Sequence, residues 1–259
     1  MNPVEMPLAQ FHGFILVFFR IAAMLMVAPF FSPKNAPAQV SLGFALFLSL
    51  LVAPGAVTTP PVLEGLGAFA VAAALETAVG LLFGLVATFL FGAATLAGGL
   101  IDNELGLGLA NVLDPISNEQ VSLIGQFKAL FATLLFVLLD GHHFLITAIS
   151  SSFSTIPVGG LTFTSELGTF VTDTLFTDLL TSAVRFAAPA LGAMFLVTIA
   201  LAFVARAVPE MNLFLHGFTV RIGLGLAVLA VSIPGFAWAF AALWTRAQAN
   251  LERTLQLMG

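Results

Sequence analysis

Cysteine and tyrosine are absent from this chain of 259 residues, and charged residues make up only 8% of it. The absence of cysteine excludes disulfides and thiolate metal sites. Soluble domains carry about 25% charged residues, so the chain cannot present a water-facing surface over the whole molecule. The formal net charge of −5 also excludes a generally basic surface for nucleic acid.

Hydrophobic sequence takes the place of charge: 59% of the residues are hydrophobic, 27 are phenylalanine, and the mean hydropathy is +1.08. A transmembrane helix needs about 20 apolar residues. Six apolar stretches are near that length or longer, and we therefore predict an all-α, polytopic membrane protein with about six long helices. The stretches are 11–31, 40–57, 66–101, a run from after Asp114-Pro115 to 139, 183–208 and 217–245.

Several breaks subdivide this pattern. Asp140-Gly141 interrupts the fourth stretch, and the serine-rich segment 150–160 is typical of a polar turn. Ser165-Glu166 begins a segment whose apolar residues follow helical spacing. The stretch 66–101 suits either one long tilted helix or two pieces, and the tail with Arg246 and Arg253 is predicted to be short and polar.

We interpret 1–259 as one helical subunit. Residues 1–182 form its N-terminal helical part, which contains a loop near 104–120, and residues 183–259 form a C-terminal helical hairpin.

No residue pattern indicates an enzyme, a cofactor or a metal. Gly106-Leu107-Gly108 superficially matches a nucleotide loop, but Asn111 occupies the place of the third glycine and no strand precedes it. His142 and His143 are adjacent, so on a helix they point to different faces and lack the i, i+4 spacing of a metal pair.

Charged residues inside apolar stretches are the first candidate site. Arg20, Glu76 and Arg185 lie in or near them and are predicted to be buried, and Asp140 also lies near one. Charges at membrane depth are costly and usually face partners, water or the interface. An ion or proton path is one role that fits. The alternative is pairing between subunits, or segments that are not buried in lipid, and it is favoured because no stretch holds a series of acids.

A stripe of small residues is the second candidate. Gly80, Gly84, Thr88 and Gly92 recur every four residues, which on a helix forms one face that allows close approach of another backbone. This face serves either assembly with other subunits or packing within the chain.

The segment Glu104–Gln120, ELGLGLANVLDPISNEQ, is the third candidate and has the strongest case for a function. Irregular backbone at membrane depth is tolerated where it lines a cavity, and hydrophobic constrictions can close pores by excluding water. The alternative is an ordinary surface loop before a capped helix. The predicted gate residues are Leu105, Gly106, Leu107, Gly108, Leu109, Asn111, Val112, Leu113, Asp114, Pro115 and Ile116.

Four longer motifs follow one another along the chain. They are RIAAMLMVAPFFSPKNAPAQV at 20–40, LGLANVLDPISNEQ at 107–120, LDGHHFLITAISSSFSTIPVG at 139–159 and RAVPEMNLFLHGFTVRIGLGL at 206–226. In this order they resemble the export-gate subunit shared by flagellar and virulence type III secretion, the FliR/SctT family. The LDGHH form favours the flagellar branch, although Asp140 stands where asparagine is commoner.

The resemblance implies an all-helical, non-enzymatic subunit of the bacterial inner membrane, in the flagellar basal body. One copy would join several copies of two smaller hydrophobic subunits in a gate for unfolded exported proteins, with a substrate-specificity switch subunit docked on it. The segment matching Glu104–Gln120 would belong to the plug that closes the pore. The turn near the switch subunit would contain Arg206, Pro209, Glu210 and Asn212.

Two other functions fit the sequence. A small-molecule secondary transporter would use Arg20, Glu76 and Asp140 as coupling sites near the midplane. A purely structural assembly factor would use the small-residue stripe and have no role in the pore.

Overall fold

The computed structural model describes residues 5–31, 37–57, 65–107, 122–160, 165–208 and 213–258. All regular secondary structure within these ranges is helical, which confirms the predicted all-α class. The helices are α1 (Glu5–Val27), α2 (Ala38–Ala56), α3 (Gly65–Leu105), α4 (Leu123–Leu138), α5 (Gly141–Thr155), α6 (Ser165–Thr169), α7 (Phe176–Ala207) and α8 (Leu213–Met258).

Within the described ranges, five helical segments are long and apolar enough to cross a membrane. They are Gln10–Val27 in α1, all of α2, all of α3, the continuous run Ser165–Ala207 and Gly217–Met258 in α8. Helices α4 and α5 together are also long and apolar enough to form one span, which is bent at the break between them. The prediction of a polytopic protein with about six apolar helices is confirmed.

The third apolar stretch forms one helix, α3, rather than two pieces. The segment from Ser165 is also helical, as predicted, but it does not stop before the next stretch. A π-helical turn, Phe170–Leu175, joins α6 directly to α7.

The predicted polar turn at 150–160 is partly wrong, because α5 continues to Thr155. Its serine hydroxyls donate to backbone carbonyls one turn back: Ser151 Oγ to Ala148 O, Ser152 Oγ to Ile149 O and Ser154 Oγ to Ser151 O. Serine can satisfy its hydroxyl in this way without leaving the helix, so polar composition here does not end it.

The predicted short polar tail is also wrong, because α8 continues to Met258. Leu251, Thr254 and Met258 are buried at helical spacing, and the guanidinium of Arg253 lies 5.2 Å from the ring centroid of Phe170. One face of the tail is therefore core, and only the opposite face is polar.

The break at Asp140-Gly141 is confirmed. Asp140 lies between α4 and α5 with φ 54° and ψ 28°, in the left-handed region. Aspartate and asparagine tolerate this region better than most residues with a side chain. The break therefore rests on the local backbone preference of this residue.

The chain forms two compact units, and α3, α4, α7 and α8 contribute residues to both. The first unit comprises Met1–Phe89, Val137–Phe176 and Thr245–Gly259. Helix α1 packs on α2 within it, and α2 also contacts α5. Leu16, Ile21, Met24 and Leu25 of α1 are fully buried, so α1 is a central element of this core.

The second unit comprises Leu90–Phe136 and Thr177–Trp244, and aromatic rings dominate its core. The ring of Phe136 is fully buried and meets Phe91 and Trp244 edge to face, with centroids 5.3 and 5.2 Å away. Such edge-to-face pairs add about 0.5–1.5 kcal/mol each beyond their buried area. They connect α3, α4 and α8 within this unit.

Candidate gate site

The base of the predicted gate segment is well defined. Glu104 and Leu105 are still helical, so the irregular segment begins at Gly106 rather than at Glu104. The N–H of Gly106 donates to Asn103 O at 3.2 Å, and the N–H of Leu107 donates to Asp102 O at 3.0 Å. With Gly106 at φ 77°, these bonds form a Schellman motif, which satisfies the last carbonyls of a helix.

Asp102 joins the two ends of the segment. Its carboxylate is buried and accepts hydrogen bonds from Ser122 Oγ and from the N–H of Ile124, the latter at 3.2 and 3.3 Å to its two oxygens. Ser122 Oγ in turn accepts from the N–H of Gly125 at 2.8 Å. Serine therefore caps α4, and a carboxylate supports the same N-terminus. The predicted start of the fourth apolar stretch, after Asp114-Pro115, lies outside the described residues.

Glycines permit close approach around this base. A Cβ on Gly98 of α3 would overlap the backbone of Gly125 in α4, and a Cβ on Gly125 would lie 3.1 Å from Thr95 O. A Cβ on Gly225 of α8 would overlap the side chain of Leu105. We define the loop base as Asp102, Leu105, Gly106, Leu107, Ser122 and Ile124. The other predicted gate residues, Gly108, Leu109, Asn111, Val112, Leu113, Asp114, Pro115 and Ile116, lie outside the described residues.

The predicted buried charges Arg20 and Glu76 pair with each other within the first unit, whereas the sequence favoured pairing between subunits. Arg20 Nε donates to Glu76 Oε2 at 2.5 Å and Nη2 donates to Oε1 at 3.1 Å, a bidentate pair between α1 and α3. Arg20 is fully buried and Glu76 is 1% exposed. Bidentate arginine–carboxylate pairs are among the stronger charge-assisted hydrogen bonds, so each charge stabilises the other in the core.

Groups from α5 and the turn after it complete this arrangement. Arg20 Nη1 donates to Ser152 Oγ at 2.9 Å and Nη2 to Ile156 O at 3.1 Å, while the N–H of Gly159 donates to Glu76 Oε1 at 2.7 Å. The Arg20 guanidinium also lies 4.0 Å from the ring centroid of Phe153. We call these residues, Arg20, Glu76, Ser152, Phe153, Ile156 and Gly159, the charge cluster. They join α1, α3 and α5.

The small-residue stripe contacts α1 of the same chain over most of its length. A Cβ on Gly80 would overlap Arg20 O, and one on Gly84 would lie 2.8 Å from Val27 Cβ. Thr88 Oγ1 donates to Val27 O at 3.1 Å. Gly92 has looser surroundings, with Leu179 Cδ1 3.4 Å from its built Cβ. Gly80, Gly84 and Thr88 thus serve packing within the chain.

Comparison with known proteins now decides the family. The model of "Bacterial export proteins, family 1" matches residues 11–247, which include all four motifs. The chain belongs to this family.

Several relatives of this export family carry the name Flagellar biosynthetic protein FliR. The one from Bacillus subtilis (strain 168) is 35% identical over 223 residues, which are 85% of this chain and 86% of that protein. The one from Aquifex aeolicus (strain VF5) is 32% identical over 220 residues, with 85% and 84% coverage. The one from Escherichia coli (strain K12) is 27% identical over 217 residues, with 83% and 82% coverage. The resemblance to the flagellar branch is confirmed.

Two predicted sites of this export-family chain remain: the buried charge Arg185 and the partner-facing turn after Arg206. Arg185 was predicted to be buried and is exposed on α7. The buried face of α7 contains Ser182, Phe186, Ala190 and Met194 at helical spacing, and Arg185 is out of phase with it. Of the predicted partner-facing turn, Arg206 is exposed in the last turn of α7. Pro209, Glu210 and Asn212 lie outside the described residues.

Sequence reasoning missed two buried polar residues. The role of Asp102 at the loop base was not predicted. Lys128 is 4% exposed, donates to Phe186 O at 3.0 Å, and has its Nζ 4.4 Å from the ring centroid of Phe236. The position of Lys128 in the middle of an apolar helix could have indicated its burial. Ser122, three residues before Gly125, could have indicated the cap of α4.

Proposed function

We propose that this chain is a non-enzymatic pore and gate subunit of the flagellar protein export apparatus in the bacterial inner membrane. In this proposal the segment Glu104–Gln120 closes the channel at rest and moves when an unfolded substrate arrives. Family membership, the name shared by the relatives and the long apolar helices support placement in a membrane export machine.

The loop base is the observation that carries the gate role. Asp102 at the end of α3 binds Ser122 and Ile124 at the start of α4, so the two ends of the segment meet at one carboxylate. The Schellman motif fixes the exit from α3, and Leu105 is seated against Gly225. A segment with a fixed base can be displaced as a unit without unfolding the helices on either side. Leu109, Val112, Leu113 and Ile116 supply the apolar side chains of the seal.

The charge cluster favours this function over solute transport. A coupling residue must exchange partners during transport, whereas Arg20 and Glu76 hold each other and backbone groups in a buried core. Asp140, the third residue that a transporter would use, is 79% exposed and belongs to a different cluster. Arg20 and Glu76 therefore have structural roles in this proposal.

The last two long helices are the proposed surface for other export-gate subunits. In the most apolar 18 residues of Ser165–Ala207, only 17% is buried within the chain, and the corresponding share in Gly217–Met258 is 22%. The share in α3 is 56%. Phe203 is 70% exposed and Trp238 77% exposed. Such apolar faces need cover from lipid or protein. We assign them to neighbouring gate subunits, and the turn after Arg206 to the substrate-specificity switch subunit.

The experiment is ion conductance of the assembled complex after deletion of Gly108–Leu113. This deletion spares Leu107, whose N–H closes the Schellman motif. We expect the membrane to leak ions at rest, because the apolar seal is lost while the base remains. Native mass spectrometry of the same preparation must show the same subunit composition as the wild type. An intact complex with wild-type conductance would refute the gate role of the segment.

A further inference from the structure

The break between α4 and α5 brings three metal-ligating side chains together. Asp140, His142 and His143 each offer one ligand atom, and these atoms all lie within 4.8 Å of one another. The sequence predicted that adjacent histidines would point to different faces. Their ring centroids are instead 4.3 Å apart, because both rings lie in the first turn of α5 beside the left-handed Asp140.

Among the described residues, the side chains of Asp140 and His142 lack hydrogen bonds that their positions would allow. Asp140 occupies the N-cap position of α5, where an aspartate side chain normally accepts a backbone N–H, yet its side chain makes no capping hydrogen bond. Its Oδ1 lies 3.6 Å from His143 Nδ1 instead. His142 Nδ1 is buried and has no hydrogen-bond partner among the described residues. A buried polar atom without a partner requires an explanation.

The backbone around these side chains is held in place. The N–H of Asp140 donates to Val137 O at 3.1 Å, and Asp140 O accepts from the N–H of Phe144 at 3.1 Å. The side chains of Asp140 and His143 are 79% and 73% exposed, so they can rotate and are reachable from outside the chain. A fixed backbone with adjustable side chains suits the capture of an ion.

We propose that Asp140, His142 and His143 bind one Zn²⁺ ion, or a transition metal of similar preference. Two imidazoles and one carboxylate are a donor set that suits Zn²⁺. Zinc–nitrogen bonds of about 2.1 Å place neighbouring ligand atoms about 3.4 Å apart. Side-chain rotations that move the ligand atoms by about 1 Å would therefore complete the site. Three protein ligands leave a fourth position for water or for a donor from a neighbouring subunit.

The bound ion would rigidify the break residue and the first turn of α5. It would tie the break residue, Asp140, to the first turn of α5 through two histidines, in addition to the backbone hydrogen bonds of Asp140. Anything that binds the folded state alone raises its stability with ligand concentration. The inference is independent of the gate role, because the three residues lie outside the segment Glu104–Gln120.

The test is a Zn²⁺ titration of the full-length chain, purified with an affinity tag free of histidine, against a chromogenic chelator. We expect one ion per chain and a melting temperature that rises with Zn²⁺ concentration. Mutation of residues that only support the metal ligands lowers metal affinity about 10- to 100-fold. Asp140→Asn and His143→Gln change ligands themselves, so each should lower the affinity for Zn²⁺ by at least ~100-fold. His12→Gln is the matched control, because its ring contacts Phe69 and it does not belong to the cluster.

Asparagine also visits the left-handed region, so Asp140→Asn should keep the melting temperature of the metal-free wild type. This variant therefore separates loss of a ligand from loss of the fold. Absence of stoichiometric binding by the wild type would overturn the proposal and leave Asp140 and His143 as a surface pair. Unchanged affinity in Asp140→Asn and His143→Gln would equally overturn it, because the ion would then lie elsewhere.

Discussion

At the scale of single residues, the pair of Arg20 and Glu76 shows how a charge is accommodated in an apolar chain. Removing both ions from water carries a penalty of several kcal/mol per ion. Two direct bonds between them, together with donation to Ser152 Oγ and Ile156 O, offset that penalty. The pair is therefore more important for fixing which helices meet than as a net source of stability.

Glu76→Leu should destabilise the first unit by about 3–5 kcal/mol, because it leaves Arg20 buried without its carboxylate. The measurement is the melting temperature of the purified chain in mild detergent. Arg20→Met with Glu76→Leu is the comparison, since replacing both charges by apolar side chains is often close to neutral. If the single variant were as stable as the wild type, the pair would not be buried as described.

At the scale of helical elements, glycines determine where backbones approach. Gly84 of α3 faces Val27 and Met24 O of α1. At Gly99 of the same helix, the described residues place no atom outside the local helix backbone within 4 Å of a built Cβ. The two glycines therefore make a matched pair with opposite expected effects.

Gly84→Ala should destabilise the chain by about 1–3 kcal/mol through overpacking. Gly99→Ala should stabilise it by up to about 1 kcal/mol, because alanine is the better helix former. Thermal unfolding of both variants in the same detergent provides the measurement. Similar shifts of one sign for the two variants would contradict the close packing of α1 on α3.

The loop base gives a second prediction for an element. Asp102→Asn keeps the shape of the side chain but removes its charge from the α4 N-terminus, and we expect a cost of about 0.5–2 kcal/mol in local stability. Hydrogen exchange at the amides of Ile124 and Gly125 should be faster. Glu104→Gln makes the same charge change at an exposed position of α3 and should leave this exchange unchanged. Equal protection in both variants would show that Asp102 does not support the cap.

Local sequence patterns predicted most of the elements. Apolar runs predicted the helices, and Asp140-Gly141 predicted the break, because hydrophobic length and left-handed preference are properties of neighbouring residues. Local patterns were wrong at Ser150–Thr155 and at the tail, where hydroxyls bonded to the helix backbone and one apolar face of a polar-looking helix was buried.

The tertiary pairings could not be predicted from the sequence. Glu76 lies 56 residues from Arg20, and Ser122 lies 20 residues from Asp102. No local spacing connects such residues, since their meeting depends on how the helices pack. The out-of-phase position of Arg185 on α7 is of the same kind, because it depends on which face of that helix is covered.

At the scale of the whole molecule, each compact unit has its own means of stabilisation. The first contains the charge cluster and the contacts of α1 with α3, and the second contains the aromatic core and the loop base. Helices α7 and α8 keep large apolar residues exposed. A chain of this kind is suited to assembly with neighbouring subunits, in which the proposed gate segment would be held over the channel.

We propose that the segment Glu104–Gln120 closes the channel at rest and moves during export. The substitution Leu109→Cys introduces a single thiol into a chain that has no cysteine. The most direct measurement is the rate at which this thiol reacts with a small water-soluble reagent in the assembled gate. We expect slow reaction at rest and faster reaction when a stalled substrate occupies the gate. Leu130→Cys, at an exposed position of α4, should react at the same rate in both states. Equal reaction rates of Leu109→Cys with and without substrate would contradict movement of the segment during export.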